Sequence, residues 1–232
     1  MSRFLRLVFS AGLILIIPHV ALAVGGAGYY PLTADDGDAI DNHRVPVALE
    51  NRIDKLPGVV IVGNPTGKVT LAEFYDVNCP YCRQASAGID ALLHSHRQLR
   101  LVLVPFPVLG VASILGTRVE LAVARLASPE EFYAFHRKLD AMRGVVDDKR
   151  ALLVANEIGL DIPKVLKIAN EDSVTKIMTA HVQLGNALAI QVTPGFVIKG
   201  VAILGYPGQK SLGKMIDSVE RCGAVMCGVK TR

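Results

Sequence analysis

Cys79-Pro80-Tyr81-Cys82 is the segment of this chain best equipped to do chemistry. Two thiols one helical turn apart can close into a disulfide and open again, a two-electron reaction that calls for no organic cofactor. The apolar run Val69 to Tyr75 before them reads as a strand, and a helical pattern follows. The pair is therefore expected at a helix start, where unpaired backbone N–H groups and the macrodipole favour an anion. Such positions bring a cysteine pKa from about 8.5 down to roughly 3.5–7.5. Three units of lowering would be about 4 kcal/mol in favour of the thiolate. A favoured thiolate stabilises the reduced state and makes the disulfide a better oxidant. The competing use of two such cysteines is half of a structural metal site. That use needs two further ligands, and Cys222 and Cys227 are the available pair.

The N-terminus bears on the compartment. Met1 to Arg6 is short and basic, Leu7 to Ile17 is nearly all apolar, and Pro18 breaks the run. Ala21-Leu22-Ala23 then supplies the small residues of a cleavage site, so residues 1–23 read as a secretory signal peptide cut after Ala23. The apolar run is short for a membrane span, and no cysteine follows the cut to carry a lipid. The mature chain, about 209 residues, would begin at Val24 in a compartment where disulfides persist, the periplasm in a two-membrane host. Loss of Arg3 and Arg6 lowers the formal charge from +4 to +2. So small a balance, with no basic cluster interleaved with aromatics, gives no support to nucleic-acid binding.

The elements that must position the thiols can be read from periodicity and turn residues. Residues 24–56 form a Gly-rich, then acidic lead, expected to be flexible, ending in a short helix over Pro46 to Leu56. Val59 to Val62 and Val69 to Tyr75 read as strands, Pro80 to about His96 as a helix opened by proline, and Leu99 to Val104 as a third strand. From about Val111 to Ile190 the pattern is helical throughout. Ser128-Pro129-Glu130-Glu131 has an N-cap, a first-turn proline and two acids matched to the dipole. Phe196 to Ile198 and Val201 to Leu204 read as a hairpin, and Ser211 to Cys222 as a last amphipathic helix. Strand–helix–strand followed by hairpin–helix is the thioredoxin plan, an α/β fold, here with a helical domain inserted between its halves. The divisions are 57–107, carrying the cysteine pair, 108–190, the insertion, and 191–232, the second half.

Four cysteines allow three pairings, and the local one, 79–82 with 222–227, needs the least rearrangement. Cys222 and Cys227 would then staple the end of the last helix to the tail; a second redox relay, or a mixed-disulfide partner for Cys79, is the other use of that pair. His94 and His96 point to different helix faces, His136 sits between aromatics as a packing or surface residue, and His43 and His181 show no partner. Gly25-Gly26-Ala27-Gly28 follows no strand and is no nucleotide motif.

Glu73-Phe74-Tyr75-Asp76-Val77-Asn78-Cys79-Pro80-Tyr81-Cys82-Arg83, with Val192-Thr193-Pro194-Gly195-Phe196 far downstream, resembles the DsbA-like thioredoxin superfamily. More narrowly it resembles an envelope branch that includes the suppressor-of-copper-sensitivity thiol oxidoreductases. The similarity runs from about Pro57 to Arg221. It implies that Cys79 is the exposed nucleophile and Cys82 the resolving thiol, with Pro80 and Tyr81 tuning the thiolate. It implies a cis bond at Thr193–Pro194 facing the disulfide, a geometry found in only about 5–6% of X–Pro bonds. Glu73, six residues before Cys79, matches a buried acid that would move a proton to or from Cys82.

The expected function is oxidation of exported client thiols by the Cys79–Cys82 disulfide, with a membrane redox partner restoring it and no cofactor. Two alternatives stay open. One is an isomerase or reductase kept reduced by a different membrane partner, towards which Thr193 before the proline leans. The other is an envelope protein holding Cu(I) between two thiolates.

Overall fold

The computed structural model describes residues 29–229; the expected signal peptide lies outside them. The strands are β1 (Asn42–Arg44), β2 (Val60–Gly63), β3 (Val69–Tyr75), β4 (Leu99–Pro105), β5 (Gly195–Ile198) and β6 (Val201–Leu204). They form one sheet in the order β1-β6-β5-β3-β4-β2, in which only β3 and β4 run parallel. The helices are α1 (Val47–Glu50), α2 (Pro80–Ser95), α3 (Val111–Leu126), α4 (Pro129–Ala141), α5 (Asp148–Glu157), α6 (Ile162–Ala169), α7 (Asp172–Ala187) and α8 (Gln209–Cys222). The five helices α3 to α7 occupy the stretch between β4 and β5, which is the helical insertion into a thioredoxin fold.

β3 explains how the site is aimed. It is central and covered on both faces, which is why its sequence is almost continuously apolar. Side chains alternate across a strand. Val69, Leu71 and Tyr75 join the core with Ile89 and Leu92 of α2 and Leu212 and Ile216 of α8. Ala72 and Phe74 face the other way, into a cluster with Leu184 at the C-terminal end of α7. Glu73, two residues from both Leu71 and Tyr75, is thereby carried to the α2 face, beneath the cysteines.

Three helices of the insertion begin on side-chain caps. Ser128 and Glu131 make a reciprocal capping box at α4, Asp147 accepts from the Arg150 N–H at α5, and Asp161 accepts from the Lys164 N–H at α6.

The lead corrects one expectation. Far from flexible over residues 29–45, it pairs β1 with β6 and buries Tyr30, Leu32 and Ile40 in the core. Asn42 satisfies the backbone around it, accepting from the Tyr30 N–H and donating to the carbonyls of Tyr30 and Ile40. A three-residue strand amid glycines and acids gives no periodic signal, because its order comes from long-range packing.

Candidate active site

Cys79 is the N-cap of α2, extended at φ −74° and ψ 120°, and Pro80 holds the first helical turn. Cys82 lies one turn inside on the buried face. Both are free thiols here. The Cys79 thiol is held down to about 6, chiefly by a hydrogen bond from Cys82; burial opposes this, and the Thr193 side chain and the backbone N–H groups of Cys82 and Tyr81 assist. Burial pushes the Cys82 thiol far above its ordinary value, and its hydrogen bond to Cys79 and the nearby Glu73 push the same way. Two chemically identical side chains are thus separated into a thiolate and a thiol.

The expectation that Cys79 is exposed is corrected: the residue is 3% exposed, with its sulfur 3.0 Å from the carbonyl oxygen of Thr193. The loop carrying the cis Thr193–Pro194 bond lies against the sulfur. Tyr81, by contrast, is 63% exposed. The Cys79 sulfur is thus covered by that loop, while Val108, Leu109, Val111, Ile114, Val145 and Val192 are exposed apolar residues of the insertion and of the loop before Pro194.

Asp76 and Asn78, to which the sequence reading gave no separate role, fix the turn before Cys79. Buried Asp76 accepts from the backbone N–H groups of Val108 and Leu109 through one oxygen, at 2.8 and 2.9 Å. Its other oxygen accepts from the Asn78 N–H at 2.8 Å and the Ser113 hydroxyl at 2.7 Å. Asn78 donates to the Val146 carbonyl and accepts from the Val146 N–H, tying the turn to the insertion. Arg83 donates to the carbonyls of Val77, Met142 and Gly144. The Asp-x-Asn spacing, an Asx turn, was the available signal.

Glu73 is 3% exposed, and burial pushes its carboxyl up to about 8. It shares a small cavity of about 10 Å³ with Cys82, Ser86, Tyr133, His136 and Asp140, close to the space one water needs. His136 is the third correction. Instead of simply packing, it lies between two carboxylates, 3.4 Å from Glu120 on one ring nitrogen and 3.4 Å from Asp140 on the other. Burial alone would lower it, but Asp140 and Glu120 outweigh that and hold the ring up at about 9. The sequence hides this because Glu120, His136 and Glu73 come from three separate elements. His181, unpartnered in sequence, packs between the carbonyls of Pro57 and Pro105, and His43 faces the Leu188 carbonyl.

Cys222 and Cys227 are joined by a disulfide at the end of α8, so they do not complete a metal site with Cys79 and Cys82.

A family model described as thioredoxin matches residues 55–218. The chain belongs to the thioredoxin family. Its structure is similar to that of a thioredoxin-like oxidoreductase from Silicibacter pomeroyi DSS-3, at 31% identity and TM-score 0.69, over 74% of this chain and 98% of that one. The thiol-disulfide exchange protein alpha-DsbA2 from Wolbachia pipientis is similar at 22% identity and TM-score 0.68, over 74% of this chain and 92% of that one. The catalytic domain of Proteus mirabilis ScsC gives 23% identity and TM-score 0.65, over 74% and 96% of the two chains. The last two, both under 25% identical, share the fold of this chain. A search of curated proteins found no match.

Proposed function

We propose that this protein thiol–disulfide oxidoreductase is exported to the periplasm and oxidises the thiols of client proteins there. The observation that carries the reading is the opposed pair at the start of α2, a Cys79 thiol held down to about 6 over a Cys82 thiol pushed up by burial. That difference favours the reduced enzyme, and so favours transfer of the disulfide to a client.

A client thiolate attacks Cys79 Sγ in the enzyme disulfide. The S–S bond breaks, its electron pair moves to Cys82, and Cys82 takes a proton from Glu73. The client's second thiolate then attacks the client sulfur of the mixed disulfide, and Cys79 leaves as a thiolate. Two electrons pass to the enzyme and the client leaves oxidised. A membrane partner removes those electrons in turn. The cis bond at Thr193–Pro194 presents backbone to an extended client beside the sulfur, and the exposed apolar residues of the insertion give loose affinity. Among the described residues no helix is long and apolar enough to cross a membrane; the reading of export rests on residues 1–23. Cys222–Cys227 acts in this reading as a staple for the end of α8.

The test is the state of the Cys79–Cys82 pair in cells, read by thiol trapping, together with turnover of a reduced unfolded client. An oxidised pair and net client oxidation are expected. A pair found reduced, with turnover of scrambled disulfides only, would replace the oxidase by an isomerase or reductase.

A further inference from the structure

The cycle needs a proton delivered to Cys82 and removed again, yet Cys82 and Glu73 are both buried. The cluster beneath them offers a continuous way out. From the Glu73 cavity, His136 leads through its Nε2 to Asp140 at 3.4 Å. Asp140 accepts from the Ser86 hydroxyl at 2.6 Å, and that hydroxyl accepts from Arg137 at 2.9 Å. Arg137 and its neighbour Asp90 are each about a third exposed, 33% and 34%. A second polar link leaves the cavity through Tyr133, whose hydroxyl donates to Asp90 at 3.3 Å, but burial pushes that phenol further above its ordinary value and makes it the poorer carrier.

We propose that His136 and Asp140 are the proton path between Glu73 and solvent, with Ser86 and Arg137 at its mouth. The inference rests on the role given above to Glu73. When the disulfide opens, Cys82 takes the Glu73 proton. Glu73 recovers one from Nε2 of the His136 imidazolium across the single-water cavity, which Asp140 also lines, and the same nitrogen is then reprotonated from the Asp140 side. His136 is recharged from solvent by way of Asp140 and Ser86. Reoxidation runs the same steps backwards, so no proton is created or lost within the protein. The groups facing His136 are consistent with this. β3 supplies Glu73 and Tyr75, whose ring lies 4.5 Å from the imidazole centroid. α3 supplies Glu120, which anchors Nδ1 and accepts from the Tyr75 hydroxyl at 3.2 Å. α4 itself supplies Tyr133 and Asp140, and α2 supplies Cys82 and Ser86. Glu73 and His136, near 8 and near 9, are close enough for a proton to pass either way. In this scheme His136, Asp140 and Ser86 are positioning residues, because none of them touches the reacting sulfurs.

The test uses reduced full-length mature protein mixed with an aromatic disulfide whose thiolate product is coloured. Cys79 attacks first and releases one coloured thiolate; Cys82 then attacks the mixed disulfide and releases a second. Only the second phase needs Cys82 to lose its proton. The expected result is that Asp140→Asn lowers the ratio of second-phase to first-phase rate about tenfold at pH 7. Ser86→Ala, which leaves the buried charges in place, is expected to lower it about threefold, and Asp140→Glu to restore most of the loss. His136→Gln removes the cation that favours the Glu73 anion, so the second phase should slow and its pH midpoint should move up from about 8. A ratio unchanged in Ser86→Ala and Asp140→Asn, with Glu73→Gln still slow, overturns the path and leaves the role of Glu73 standing. A ratio unchanged in Glu73→Gln as well overturns both. Should Asp140→Asn fail to fold, Ser86→Ala decides alone.

Discussion

At the scale of the residue, the function depends on the separation of two thiols. Cys79 titrates near 6 in the folded protein against 9.0 for an unperturbed thiol. The stability this adds to the reduced form is full above pH 9 and is lost as pH falls through 6. At pH 7 it is about 1.4 kcal/mol, or about 30 mV for two electrons. Thiolate absorbance of the reduced protein should rise with a midpoint near pH 6, and a midpoint near 8.5 would remove the basis of the oxidase reading. The reduction potential, equilibrated with glutathione, should fall between about −270 mV, typical of thioredoxin, and about −120 mV, typical of DsbA. Tyr81 supplies no charge, so Tyr81→His should move the midpoint lower and the potential higher. The cysteines, their strand and their helix were legible in sequence because strand, proline and helix signals all converge there. The near-complete burial of Cys79 was not, because the loop against it comes from 114 residues further on.

At the scale of the element, the turn between β3 and α2 is held by one buried carboxylate. Asp76→Ala would leave the N–H groups of Val108, Leu109 and Asn78 and the Ser113 hydroxyl without their acceptor. Each buried orphan costs about 1–3 kcal/mol, partly recovered by relaxation. A loss of about 3 kcal/mol or more in urea unfolding is therefore expected, with slower client oxidation. Asp76→Asn, still able to accept, should lose less; equal losses would mean that the carboxylate geometry is not what holds the turn. Local signals served well where the partner is local, as with Ser128 and Glu131 at α4. They failed at Asp35, read as part of a flexible acidic lead. Its carboxylate accepts from the N–H groups of Lys210 and Ser211 and from the Ser211 hydroxyl. It thus serves the first turn of α8, whose own N-cap is Gly208, from 176 residues away. No pattern within a window of sequence contains such a contact.

At the scale of the whole molecule, a buried cluster of acids around one imidazole should make stability depend on pH. Glu73 titrates near 8 in the fold against 4.5 unfolded, so stability declines as pH rises from 4.5 and levels off above 8. Glu120, also held up by burial, acts in the same direction. His136 titrates near 9 against 6.5; its contribution is complete below 6.5 and is lost as pH rises through 9. Both slopes are negative between pH 6.5 and 8, and each is at most about 1.4 kcal/mol per pH unit. The oxidised protein isolates them, since its active-site sulfurs do not titrate. Its unfolding free energy should therefore fall by roughly 2–4 kcal/mol from pH 6.5 to pH 8. In the reduced protein the Cys79 thiolate opposes this fall, so the gap between reduced and oxidised stability should widen towards alkaline pH. His136→Gln combined with Glu73→Gln should flatten the oxidised curve over that window. A double variant as steep as the parent would mean that the cluster's protons are not linked to folding. The same cluster that makes the fold sensitive to alkali is the one placed to feed a proton to a sulfur no solvent reaches. The molecule therefore carries a stability cost at the site where its chemistry needs groups that titrate near neutrality.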